Sequence, residues 1–169
     1  MRSEIYWIPT RTAGRLAIMP RPRGGDWLED EVRSWRAAGI DVVLSLLTPG
    51  EVLDMDLALE EELCTAAGMQ FVTFPIPDRG VPASKAPMRK LATELAQGLA
   101  EGKNIAIHCR QGLGRAPLVA ICVLIQAGDN LQTALQKATI ARGCPVPETK
   151  EQERWLAEFA SEALVMAPK

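Results

Sequence analysis

Apolar residues along this chain follow two alternating rhythms. Three runs rich in aliphatic residues, Val42 to Leu47, Gln70 to Ile76 and Asn104 to His108, predict strands; between them, apolar residues recur every three or four positions, as on one face of a helix. That alternation predicts an α/β fold with a central, mainly parallel sheet of four to five strands flanked by helices. Two shorter runs, Ile5 to Ile8 and Leu16 to Met19, flank Thr10-Arg11-Thr12-Ala13-Gly14 and predict a hairpin-like start at a sheet edge.

The helices carry their own punctuation. Asp26 with Glu29 three residues on predicts a capped start for a helix through Leu28, Val32 and Trp35, ended by Gly39. A second helix is expected over Asp56 to Ala67 before Gly68, and a third from Pro87 to Glu101, with Met88, Leu91, Leu95 and Leu99 on one face. The run Ala116 to Ala127 is apolar nearly throughout, too short to cross a bilayer, and predicts a buried helix. Asn130 caps an expected helix to about Ala141; Thr149 with Gln152 caps another through Trp155, Leu156, Phe159 and Leu164. With no repeat, linker or low-complexity tract, residues 1–169 are expected to form one domain.

Composition narrows the picture. Of the 169 residues 47% are hydrophobic and 24% charged, enough apolar material for a substantial core. A formal net charge of -2 offers no general attraction for nucleic acid or an acidic membrane, so any anion site must be local. Met1-Arg2-Ser3-Glu4-Ile5 has an acidic residue and no apolar core, which argues against a secretory signal and for a cytoplasmic protein. Cys64, Cys109, Cys122 and Cys144 are widely spaced, without the paired pattern of a zinc site or a disulfide framework. Cys64 and Cys122 sit in apolar helical patterns and are expected as small core hydrophobes. No metal ligand set or cofactor motif is present.

Cys109 differs by its neighbours. The strand ending at His108 runs through Cys109-Arg110-Gln111-Gly112-Leu113-Gly114 to Arg115 and a helix. A glycine-bearing loop between a strand and a helix N-terminus can wrap backbone N–H groups around one anion, and the helix dipole adds to the attraction. Cys109 at the base of such a cup supplies a thiolate nucleophile. Arg115 closes the cup with a planar guanidinium that can grip two phosphoryl oxygens, and Pro117 falls in the first helical turn, where its missing N–H costs little. A cysteine followed by five residues and arginine also arises by chance, and a glycine loop can be a mere connection. The combination is what points to phosphate chemistry.

His108-Cys109 with five residues before Arg115, entering a helix, resembles the phosphate-binding loop of protein tyrosine and dual-specificity phosphatases. Phe74-Pro75-Ile76-Pro77-Asp78-Arg79-Gly80-Val81-Pro82 resembles the segment that carries that family's general acid, with Asp78 31 positions before the cysteine. Residues Pro147 to Phe159 resemble the closing helix of the small dual-specificity members, and Leu47-Thr48-Pro49-Gly50-Glu51 resembles another family segment. Thr-Pro-Gly-Glu together with Gly-Leu-Gly-Arg is most similar to the cyclin-dependent-kinase-associated phosphatase branch.

The resemblance implies a phosphatase acting on phosphorylated proteins, with phosphotyrosine and also phosphoserine or phosphothreonine as substrates, through a phosphocysteine on Cys109 and without metal or cofactor. Asp78 protonates the leaving oxygen, although Pro77-Asp78-Arg79-Gly80 is also a good turn sequence. Arg110, Gln111, Gly112, Leu113 and Gly114 form the substrate-binding loop, of which only Arg110 is basic, a composition that disfavours inositol lipids. His108, the sole histidine, is expected to organise the loop. Gln152 matches a water-orienting glutamine but also stands at a helix cap. Arg21, Arg23 and Arg79 are candidates for binding acidic groups beside the phosphate. Ala116 stands where the family carries serine or threonine, so release of phosphate from Cys109 is expected to be slow. A phosphoresidue-binding pseudophosphatase and a rhodanese-like sulfurtransferase are the rival readings.

Overall fold

A computed structural model describes residues 4–166; Met1 to Ser3, part of the segment read for a secretory signal, and residues 167–169 lie outside it. Five strands form one sheet in the order β1-β2-β5-β3-β4. Strand β1 (Tyr6–Ile8) pairs antiparallel with β2 (Leu16–Met19), which makes the expected edge hairpin. Parallel pairing then joins β2, β5 (Ile105–His108), β3 (Val42–Ser45) and β4 (Gln70–Thr73). The sheet is the α/β arrangement expected from the alternation of periods. Strands β3 and β4 end before Leu47 and Ile76, yet Phe74 N–H to Ser45 O (2.9 Å) and Ile76 N–H to Leu46 O (3.0 Å) continue the bonding beyond them.

The period-2 alternation of strand side chains divides the core. Leu16, Ile18, Val42, Leu44, Ile105 and Ile107 face one layer, and Ala17, Met19, Val43 and Ala106 face the other. The first layer holds α4 (Lys85–Ala100), α5 (Arg115–Gln126), α6 (Leu131–Arg142) and α7 (Lys150–Met166). The second holds α1 (Leu28–Ala37) and α3 (Glu60–Ala66). Helix α5 lies between sheet and outer helices, so every residue from Arg115 to Leu124 is buried. A helix covered all round must be apolar all round.

Several helix starts depart from expectation. No Asp26 side-chain cap forms; Gly25 to Trp27 make a 3-10 turn that runs into α1. Gly25 N–H donates instead to Asp56 O at 3.0 Å, so a contact distant in sequence sets this entry. The helix expected over 56–67 begins only at Glu60, as α3, and a short helix that was not expected precedes it. Thr48 and Glu51 form a reciprocal capping box that starts α2 (Pro49–Asp54), and Asp56, at φ +55°, breaks the path before α3. Burial of Leu57 against the α1 layer rewards that break. Helix α4 begins at Lys85, two residues before Pro87, which falls where the first-turn N–H has no helical partner.

The other caps stand where the sequence places them. Asn130 Oδ1 accepts from Thr133 N–H at 2.8 Å, and Gly143, at φ +76°, ends α6. Thr149 Oγ1 accepts from Gln152 N–H at 3.1 Å while Gln152 Oε1 accepts from Thr149 N–H at 3.2 Å. In α7, Trp155, Leu156 and Phe159 are buried, whereas Leu164, read as part of the same face, is 81% exposed. Among the described residues no helix is long and apolar enough to cross a membrane.

Phe159→Ala should lower unfolding free energy by about 3–5 kcal/mol, the cost of emptying a buried aromatic site, while Leu164→Ala should change it by less than about 0.5 kcal/mol. Urea unfolding of both variants checks this; equal losses would contradict the packing of α7.

Candidate active site

The end of β5 sends two consecutive side chains to opposite layers. His108 is wholly buried on the α1 side, its ring centroid 6.1 Å from that of Trp35, with Nε2 2.5 Å from Oε1 of the buried Glu60 in α3. Cys109 joins the other layer. His108 therefore braces the root of the loop from behind, and it does not line the cavity that Cys109 faces.

The loop from Cys109 to Gly114 curls directly into α5. Gly112 is required at its bend: φ is +74°, and a Cβ there would come 3.0 Å from Met19 O. At the far end Ala116 N–H donates to Cys109 Sγ at 3.4 Å. Asp78, Arg79, Cys109, Arg110, Gln111, Leu113, Gly114, Arg115 and Glu148 line a cavity of about 150 Å³. Cys109, the four loop positions Arg110, Gln111, Leu113 and Gly114, Arg115 and Asp78, which the sequence places together, thus meet around one space, while Gly112 does not line it.

Arg115 is 1% exposed and its guanidinium is fully engaged at both terminal nitrogens. Nη1 donates to Glu51 Oε2 (2.8 Å) and Ile76 O (2.7 Å); Nη2 donates to Glu51 Oε1 (2.8 Å) and Asp78 Oδ1 (3.0 Å). Burial opposes the charge on Arg115, but the hydrogen bonds to Glu51 and the negative charges around it outweigh burial and raise its pKa. Burial likewise pushes the Glu51 carboxyl upward, and the Arg115 hydrogen bonds, the Thr48 N–H and the Arg115 charge bring it below the ordinary value. The pair is bidentate, the geometry in which guanidinium and carboxylate bind each other most strongly.

Asp78 lies beside this pair, and its Oδ2 is 3.8 Å from Arg110 Nη1. The segment around Asp78 is tied down on its far side. Gln152 Nε2 donates to Gly80 O at 3.0 Å, and Arg79, at φ +60°, sets its Nη1 3.6 Å from Glu148 Oε2. The Gln152 amide, buried at the cap of α7, joins that helix to the Asp78 segment.

Two expected anion binders stand apart from the cavity. Arg23 donates to the buried Glu31 at 2.7 Å and stacks 4.7 Å over Trp27; Arg21 turns its guanidinium to Pro22 O at 2.9 Å. Glu51 was missed as a site residue, although the Thr48-x-x-Glu51 capping pattern was readable. Glu148 gave no local signal. Burial pushes the Cys64 thiol up to about 12, with the Glu60 charge adding to it, and burial raises the Cys122 thiol too. Both are core thiols, as their helical patterns suggest. Among the described residues no cluster of His, Cys, Asp and Glu side chains is placed to hold a metal ion.

Comparison with known proteins agrees with this geometry. A family model described as a polymorphic toxin system DSP-PTPase phosphatase matches residues 17–129. The chain is 30% identical over 166 residues to cyclin-dependent kinase inhibitor 3 of Rattus norvegicus, covering 92% of this chain and 78% of that protein. It is 32% identical over 104 residues to protein tyrosine phosphatase domain-containing protein 1 of Mus musculus, across 57% of this chain and 14% of that protein. Among solved structures, kinase associated phosphatase with serine in place of its catalytic-site cysteine superposes with a TM-score of 0.88 at 22% identity, covering 99% of each chain. Tk-PTP in its active form gives 0.76 at 27% identity, covering 93% of this chain and 96% of the other. A five-stranded sheet with a cysteine loop at one strand end, together with these matches, identifies the chain as a phosphatase belonging to the dual-specificity and protein tyrosine phosphatase family.

Proposed function

We propose that this phosphatase removes phosphate from phosphorylated proteins, phosphotyrosine foremost and also phosphoserine or phosphothreonine, through a phosphocysteine intermediate on Cys109. The observation that carries the reading is the meeting of Cys109, Asp78 and Arg115 around one open cavity, with Arg115 held by Glu51. Its relationship to a cyclin-dependent kinase inhibitor supports a phosphoprotein as the substrate class.

In the first step the Cys109 thiolate attacks phosphorus, a P–S bond forms, the P–O ester bond breaks, and Asp78 gives its proton to the departing oxygen. In the second step water attacks the phosphocysteine while Asp78 takes one of its protons. The P–S bond breaks, inorganic phosphate leaves and the thiolate returns. Arg115 and the loop N–H groups stabilise the charge on the transferring group in both steps. Asp78 Oδ1 takes one Nη2 hydrogen of Arg115, a position suited to a phosphoryl oxygen, so an arriving phosphate releases Asp78 toward the leaving group.

Ala116 bears on the second step. Its N–H reaches Cys109 Sγ at 3.4 Å, but its methyl supplies no hydroxyl to stabilise the departing thiolate. Ala116→Ser should therefore raise turnover, with phosphoenzyme accumulating in the parent after rapid quenching. An unchanged rate together with no phosphoenzyme would refute a slow second step.

Hydrolysis of p-nitrophenyl phosphate should disappear in Cys109→Ser; activity that survives the substitution would overturn the nucleophile assignment. Glu51→Gln should lower kcat/KM by loosening Arg115, and should destabilise the protein at neutral pH by about 3 kcal/mol, since removing one partner of a buried pair leaves the other uncompensated. Because the folded state depresses the Glu51 carboxyl, its contribution is full above the ordinary value of 4.5 and is lost as pH falls through the lower folded value. The stability gap between parent and Glu51→Gln should accordingly narrow in acid, and a gap independent of pH would contradict the pair's role.

A further inference from the structure

A trans peptide is planar, so turning one carbonyl outward turns the next residue's N–H the opposite way. Behind the cysteine loop three successive carbonyls are held in this manner. Arg110 O accepts from Arg21 N–H at 3.2 Å, Gln111 O from Arg142 Nη2 at 3.2 Å, and Gly112 O from Arg142 Nε at 2.9 Å. The N–H groups of Gln111, Gly112 and Leu113 are thereby directed away from those anchors, toward the side on which Gln111 and Leu113 line the cavity. Arg142 is the last residue of α6, and its guanidinium lies 4.0 Å over the Tyr6 ring of β1. One side chain so links a helix end and the sheet edge to the back of the loop.

The charges in the cavity make this alignment matter. Each guanidinium lining it faces a carboxylate: Arg115 meets Glu51 at 2.8 Å, Arg110 lies 3.8 Å from Asp78, and Arg79 lies 3.6 Å from Glu148. With those cations partnered, recognition of an anion leans on the loop N–H groups, which are effective only when aimed beforehand. Lysine could not reproduce the arrangement, because a single ammonium lacks the planar fork that spans two adjacent carbonyls while stacking on an aromatic ring.

We propose that Arg142 is a positioning residue of the phosphate site, holding the Gln111 and Gly112 carbonyls so that the Gly112 and Leu113 N–H groups point at the phosphoryl oxygens. The proposal rests on reading residues 109–115 as the phosphate cup. Arg142 itself does not line the cavity, so its influence reaches phosphate only through the loop backbone.

Arg142→Met keeps an apolar stem beside Tyr6 and removes the donors; Arg142→Lys keeps one donor group. Inhibition constants for inorganic phosphate and orthovanadate, kcat and KM for p-nitrophenyl phosphate, and the thermal midpoint are measured for both, beside the parent and Cys109→Ser. Phosphate and vanadate should inhibit Arg142→Met about tenfold more weakly or worse, with Arg142→Lys intermediate. Inhibition constants within about twofold of the parent in both variants would overturn the proposal, as would a fall in kcat with anion inhibition unchanged. If Arg142→Met fails to fold, the anion constants of Arg142→Lys decide. Cys109→Ser keeps the two questions apart: activity retained there defeats the cup reading itself, whatever Arg142 does.

Discussion

A buried guanidinium is costly unless its charge and donors are matched, and in this protein the matching of Arg115 organises the site. Glu51 comes from α2, Ile76 and Asp78 from the segment after β4, and Arg115 itself from the first turn of α5. Three pieces of chain distant in sequence are held together by one side chain. Removing any partner would leave charge or hydrogen-bonding capacity unpaired in a region that water barely reaches, so the arrangement is over-determined. The same contacts that satisfy Arg115 set Asp78 above the cysteine loop.

Around that node the loop is shaped from two sides. Strand parity sends His108 backward to Trp35 and Glu60 and leaves Cys109 facing the cavity. Arg21 N–H and Arg142 take the outward carbonyls, and Gly112 accepts the positive φ and the close approach to Met19 that the bend requires. Opposite, the α7 cap reaches the Asp78 segment through Gln152. The cysteine loop is therefore anchored from both sides, and dipoles oriented in advance stabilise charge with little reorganisation. Its electrostatics are local: alternating arginines and carboxylates line a chain whose net charge is only -2.

Much of this was legible in the residues. Periods of two and of three to four announced strands and helices, and the wholly apolar run after Arg115 announced the covered helix α5, because a helix enclosed on all sides has no polar face to show. Asn130 and the Thr149–Gln152 pair marked helix starts, since these caps are local hydrogen bonds made within three residues. Cysteine, glycines and arginine at fixed spacing declared the position of the loop, because those residues stand together in the chain.

What the sequence by itself determined, then, was the class of fold and the family, and it named Cys109, Asp78 and Arg115 as candidates that the structure brings to one cavity. Only the tertiary structure decided which side chains complete them. The cap expected of Asp26 does not form and Gly25 N–H binds Asp56 O, the helix read over 56–67 starts only at Glu60 while Leu57 is buried ahead of it, and Leu164 leaves the core that Phe159 enters. Glu51 and Arg142 lie 64 and 30 residues from the groups they hold, and Glu60 lies 48 from His108. Such pairings leave no periodic or adjacent trace along the chain; they arise where separate elements pack and a buried polar group must find a partner there.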